Sequence, residues 1–169
     1  IIMYVGFIFV GTYMGYAVGS APVISYHYGA GNKDELKNLL KRSLTIIIVS
    51  SVVMTLIAEI IAGYLAGIFV SYDNNLLELT TEAIRIYAVS YLISGVNIFA
   101  SSFFTALNNG VVSAVISFMR MFVFQIVMIL LLPVVLGISG IWTAVIAAEV
   151  LSVVISVMFL VKNRKKYSY

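Results

Sequence analysis

The sequence predicts an all-α fold, a polytopic transmembrane helical bundle of five spans, and three observations predict it. The chain is 62% hydrophobic and 10% charged over 169 residues, against about 25% charged in a typical soluble domain. A soluble fold of this length could not enclose that much apolar surface. The stretch before Lys33 carries no Asp, Glu, Lys or Arg, and about 20 apolar residues suffice to cross a hydrocarbon core roughly 30 Å thick. Eight of the ten Lys and Arg residues fall in two short clusters, Lys33–Arg42 and Lys162–Lys166, the pattern of basic cytoplasmic loops.

The first span is expected over 3–29. Gly11, Gly15 and Gly19 recur at every fourth position, a small-residue stripe that predicts close approach of a neighbouring helix. Pro22 removes one backbone donor near the end and predicts a bend there. Asn32 with Glu35 three residues on resembles a capping box, so a helix should start at Lys33. Its first turns, 30–43, place Leu36, Leu39 and Leu40 beside lysines and predict an amphipathic entry along the cytoplasmic surface. The second span is expected over 44–71. Tyr72–Glu82 holds Asp73, Glu78 and Glu82 with no base, as an external loop would. The third span follows over 81–107 and is ended by Asn108-Asn109-Gly110, a turn signal. The fourth runs over 111–136 with Pro133 near its outer end. Gly137–Gly140 makes a tight link to the fifth, 140–161, and 162–169 is a basic cytoplasmic tail.

Parity agrees with charge. Four crossings separate the two basic clusters, which puts both on one side and the acidic segment on the other. The sequence thus predicts an integral protein of a bacterial inner (plasma) membrane with a cytoplasmic C-terminus. Clustering also deprives the pI near 9.1 of any meaning for nucleic acid, and the absence of cysteine rules out disulfides and thiolate metal sites. Residue 1 lies inside an apolar run with no charged region before it, unlike a signal peptide, and the chain is expected to be part of a larger protein.

Ionisable groups inside spans are costly, roughly 2.5–3.5 kcal/mol at the bilayer centre, and face protein or water. Arg120 lies about nine residues, roughly 14 Å, from the inner end of its span, and Glu149 about 12 residues, roughly 18 Å, from the inner end of its own. On antiparallel neighbours these depths predict an ion pair, either structural or proton-linked. Glu59 sits in the stripe Ser51, Thr55, Glu59, Gly63, Gly67 and is expected as a protonated, hydrogen-bonded acid at a tight helix contact, with a coupling-ion role as the other reading. Ser90, Ser94, Asn97, Ser101, Thr105 and Asn108 keep one face of the third span polar. That face either glues helices together or lines a hydrated pathway, in which case Tyr87 and Tyr91 could offer ring faces to a cationic substrate. Asn97, able to donate and accept, is the expected direct contact. His27, between Tyr26 and Tyr28, is expected to be an interfacial anchor; with no other ligand nearby it predicts no metal site.

Gly137-Ile-Ser-Gly140 resembles the nucleophile motif of rhomboid intramembrane proteases, but the single His precedes Ser139 by 112 residues, the reverse of that family's order. No phosphate loop, dinucleotide fingerprint, zincin or redox motif is present, so an enzyme is not predicted and no cofactor is expected. The segment GSAPVISYHYGAGNKDELKNLLKRS, after its Gly-rich span, resembles the eighth-span region of the multidrug and toxic compound extrusion (MATE) transporters. Phe103–Leu107, Arg120 and the stretch Gly140-Ile-Trp142 to Glu149 are similar to the last three spans of that family. The resemblance implies spans eight to twelve of a twelve-helix antiporter, most of one six-helix lobe, the other lobe being absent. It implies alternating access, with small organic and often cationic substrates leaving in exchange for Na⁺ or H⁺. The family's first-lobe acidic ion site and seventh-span carboxylate would lie outside this chain, and the third span lacks the Asp that some sodium-coupled members carry. Besides this reading stand a lipid-linked oligosaccharide flippase of the same superfamily, and a non-transporting membrane scaffold or truncated product.

Overall fold

The computed structural model describes residues 2–169; the side chain of Ile138, inside the Gly137–Gly140 motif, lies outside the described residues. Five helices are long and apolar enough to cross a membrane: α1 Ile2–Gly29, α2 Lys33–Val70, α3 Asn74–Ala106, α4 Gly110–Leu136 and α5 Ile138–Tyr167. No strand occurs among the described residues. The chain is therefore the all-α membrane bundle that its composition demands. Helix α3 is the axle, packed against each of the other four. Helix α1 lies on α2, and α4 on α5, so the two pairs flank α3 and leave a groove on either side of it.

Local signals place most boundaries. Asn32 caps α2 by accepting the Glu35 backbone N–H at 3.2 Å. The amphipathic entry and the span then form one helix of 38 residues, about 57 Å at 1.5 Å per residue. The acidic segment is corrected from loop to helix. Asp73 accepts the N–H groups of Asn75 and Leu76 at 2.9 and 3.2 Å and starts α3 directly after a short turn. No Pro or Gly occurs between Asn74 and Ser94 to stop it. Asn108 takes the left-handed backbone at φ 57°, so it belongs to the turn and not to the polar helix face. The basic tail is also corrected: α5 stays helical through Lys166 and ends at Tyr167. Ser168 then reverses the chain at φ 58°, and Tyr169 folds back to donate its hydroxyl to the Leu160 carbonyl at 2.9 Å. Burial, and then the neighbouring Tyr167, push the Tyr169 phenol up, which keeps that O–H a donor. Lys37 and Lys41 line one groove with Arg164, and Lys33 another with Lys166. Both basic clusters therefore share one end of the bundle.

The small-residue stripes are the main misreading. Gly11, Gly15 and Gly19 face outward, and a Cβ on any of them would meet nothing within 4 Å; the same holds for Gly63 and Gly67. At about 100° per residue, Gly11, Gly15 and Gly19 stand roughly opposite the buried Phe9, Tyr13 and Ala17, two positions before each. The contact line of α2 runs through Ile47, Ser51, Thr55, Ala58, Ala62, Ala66 and Val70, all buried; the three-residue step from Thr55 to Ala58 keeps it on the packed face, and Gly63 and Gly67 lie one position, about 100°, off it. Close approach occurs at other glycines. Gly95 sits where α1, α2 and α3 meet, with Ile47 Cγ2 at 2.9 Å and Tyr13 Cε1 at 3.1 Å from a built Cβ. Gly137 links α4 to α5 at φ 64°, ψ −141°, a conformation that only glycine adopts readily.

Glu59 is likewise displaced from its expected contact. It turns toward Arg85 of α3, with 3.6 Å between its carboxylate and Nε and more than half of the Arg85 side chain exposed. The two residues are each 11 positions from the α2–α3 turn, counted from Val70 and Asn74, so their meeting was available from the sequence once Arg85 was placed inside the span. An exposed pair of this length contributes less than about 1 kcal/mol. Glu59→Gln should therefore leave the thermal unfolding midpoint of the purified protein within a degree or two; a drop of ten degrees would show a buried, committed charge.

Candidate functional site

The site grows from the α3–α4 hairpin. Two pairs of hydroxyls are centred on Asn109, Ser101 with Ser117 and Thr105 with Ser113, and antiparallel packing brings them together. Ser101 Oγ lies 2.8 Å from the hydroxyls of both Ser113 and Ser117, and Thr105 donates to Ser113 at 2.7 Å. Ser113 and Ser117 were missed in the sequence, although their mirror spacing about the turn was the signal. Ser101, Thr105 and Ser117, with Ser102, form one wall of a cleft of about 390 Å³; Val10, Met14 and Val18 of α1 form the facing wall, and Arg120 closes one end.

Arg120 lies in a π-helical stretch, Met119–Phe124, inside α4. One π turn accommodates an extra residue and is common at functional sites; neither Gly nor Pro marks it in the sequence. Behind the cleft Arg120 meets Glu149. Its Nε lies 2.9 and 3.0 Å from the two carboxylate oxygens and Nη2 2.7 Å from Oε1, a two-pronged pair with the side chains 17% and 10% exposed. The Asn97 amide donates to Glu149 Oε2 at 2.8 Å and to its backbone carbonyl at 3.2 Å, while its own oxygen accepts from Ser156 at 2.8 Å. Three helices are thereby tied by one polar network. Each charge in it is compensated and hydrogen-bonded, the condition for burying an ion pair without heavy loss.

The network engages the middle of the polar face of α3. Ser90, Ser94 and Asn97 are buried, Asn97 with no exposed surface at all, and the Asn97 amide is used up on Glu149 and Ser156. Asn97 borders the cleft, but in this chain its amide makes a structural contact in place of the direct substrate contact expected of it. Ser94 donates back to the Tyr91 carbonyl at 3.3 Å. Ser101 and Thr105, nearer the basic end, open to the cleft. Toward the other end the same gap continues as a groove of about 420 Å³ lined by Phe7, Tyr87, Tyr91 and Trp142, with Val10 common to both. Tyr91 stacks on Phe9 at 4.5 Å and Tyr87 meets the Trp142 ring edge-on at 6.0 Å. Tyr91 thus has at most one face to offer. Glu59 takes no part in this site. No group of three or more His, Asp or Glu residues suited to a metal ion occurs among the described residues.

A further groove of about 390 Å³ between α1 and α2 is lined mainly by apolar side chains such as Ile8, Met54 and Leu65. It lacks the convergent polar groups that orient a ligand.

The sequence model of the MatE family matches residues 1–131. The fold is similar to that of the Vibrio cholerae MATE transporter VcmN in its bent form, with a TM-score of 0.86 at 17% identity, over 95% of this chain and 36% of that one. The chain thus spans about a third of the length of that solved transporter. No curated protein matches the chain.

Proposed function

Because the chain belongs to the MatE family, we propose that the intact protein is a cation-coupled antiporter. It exports small organic, often cationic compounds in exchange for Na⁺ or H⁺ by alternating access. One observation carries this reading: an open cleft at membrane depth with a wall of hydroxyls, backed by a charge pair that is internally neutral. Hydroxyls both donate and accept and rotate to suit a partner, as a site taking varied molecules requires. The Arg120 charge is cancelled by Glu149, so a cation entering the cleft meets no net repulsion. The tyrosines of the adjoining groove supply ring faces on the way. Only one wall and part of a second belong to this chain; the missing lobe would close the cleft, and its rocking against these helices would switch access. Such transport makes and breaks no covalent bond. The basic clusters mark the cytoplasmic side of the plasma membrane.

The flippase reading is weaker on the same observation. A pyrophosphate-linked substrate calls for uncompensated cations, and the one cation lining this cleft is already paired. A non-transporting scaffold would have no use for an open hydroxyl wall. The intact protein reconstituted in proteoliposomes should extrude a cationic dye when an inward Na⁺ or H⁺ gradient is imposed, and stop when the gradient is collapsed. Movement of lipid-linked oligosaccharide with no dye flux under either gradient would replace this reading with the flippase.

A further inference from the structure

On the side of α3 away from the hydroxyl cleft, the basic ends of α2 and α5 stand apart and leave a groove of about 380 Å³. Its rim carries Lys37 and Lys41, one turn apart on α2, and Arg164 in the last turn of α5. Among the described residues no carboxylate approaches any of the three to within 4.0 Å. Below the rim the lining becomes apolar on both walls. Leu44 lies seven residues deeper than Lys37, and Val157 seven deeper than Arg164, a descent of about 10 Å on each helix. The floor is fixed: Tyr169 is held by the Leu160 carbonyl and packs edge-on against Phe103 at 5.1 Å. Val157 and Val161 remain 47% and 68% exposed.

We infer that this groove is a seat for one anionic phospholipid of the cytoplasmic leaflet, with its phosphate between Lys37, Lys41 and Arg164 and an acyl chain beside Leu44 and Val157. Three unpaired cations directly above an apolar slot match the charge and the polarity step of such a lipid and of no water-soluble anion. Basic pockets between spans on the cytoplasmic side recognise anionic head groups. Of the other cluster cations, Lys33 and Lys166 line a separate groove; Arg42, Lys162 and Lys165 lie outside this groove's lining and serve as the internal control, since general attraction to a charged surface would use them equally.

The test is native mass spectrometry of the intact protein released from mixed micelles with equal phosphatidylglycerol and phosphatidylethanolamine. Wild type should retain phosphatidylglycerol with about tenfold preference, the scale set by a few juxtamembrane cations. The variant K37Q/K41Q/R164Q should lose the preference, whereas R42Q/K162Q/K165Q, with the same change of charge, should keep it. Val157→Trp, which fills the slot and leaves all charges in place, should lower retention of phosphatidylglycerol and guards against misfolding of the triple variant. Equal loss in both triple variants, or undiminished retention in Val157→Trp, would overturn the site. Displacement of the bound lipid by millimolar glycerol phosphate would overturn the lipid assignment in favour of a soluble phosphate.

Discussion

Glu149→Ala should destabilise the bundle by about 3–5 kcal/mol, the loss expected when one partner of a buried ion pair is removed. The variant strands the Arg120 guanidinium, whose side chain is 17% exposed, and removes the carboxylate acceptor of the Asn97 amide. The damage therefore reaches α3, α4 and α5 together. Glu149→Gln keeps the shape and one acceptor oxygen and should lose less. Exchanging both charges, Arg120→Glu with Glu149→Arg, should recover more stability than either single change. Thermal unfolding of the purified intact protein, followed by size-exclusion in detergent, measures all five. A Glu149→Ala protein as stable as wild type would mean that the pair contributes nothing to holding the helices.

Gly140→Val should be nearly as damaging, by about 1–3 kcal/mol or more, because it overpacks a contact made by backbone. A Cβ at Gly140 would collide with the Leu132 carbonyl oxygen and lie 2.7 Å from the Pro133 nitrogen. Neither atom can swing aside as a side chain would. Gly15→Leu offers the contrast. Its Cβ would enter open space, so the helices of this chain should pack unchanged. The same unfolding measurement separates the two. Wild-type stability of Gly140→Val, or collapse of Gly15→Leu in the isolated chain, would reverse the assignment of tight and loose glycines.

These glycines show where the sequence was legible and where it was not. Span number, the gathering of both basic clusters at one end, and the turns at Asn32 and Asn108 followed from hydropathy, charge and caps, which are local. The meeting of Arg120 and Glu149 followed from depth alone, because a costly charge at a known height has few partners. Which face of a helix packs is harder to read. A four-residue repeat marks a stripe but not the side it faces: Gly11–Gly19 and Gly63–Gly67 point away from the bundle, while Ala58, Ala62 and Ala66, spaced the same way on another face, do the packing. The acidic start of α3 misled for another reason: charge suggested exposure, and exposure was mistaken for loop. Asp73 is exposed and is nonetheless a helix cap. The π turn at Arg120 left no trace in residue type. The sealing of Asn97 depended on Ser156, 59 residues away, which no local pattern connects to it.

The hydroxyl wall of α3 and α4 is expected to be a hydrated pathway, and the test is cysteine accessibility in the intact protein. Single cysteines at Ser101, Thr105 and Ser117 should react with a membrane-impermeant thiol reagent in at least one access state, and a transported cation should slow that reaction. Cysteines at Ser94 and Asn97, sealed inside the bundle, should stay unreactive under the same conditions. No labelling at Ser101, Thr105 or Ser117 in either state would contradict the account and leave the polar face as helix packing alone.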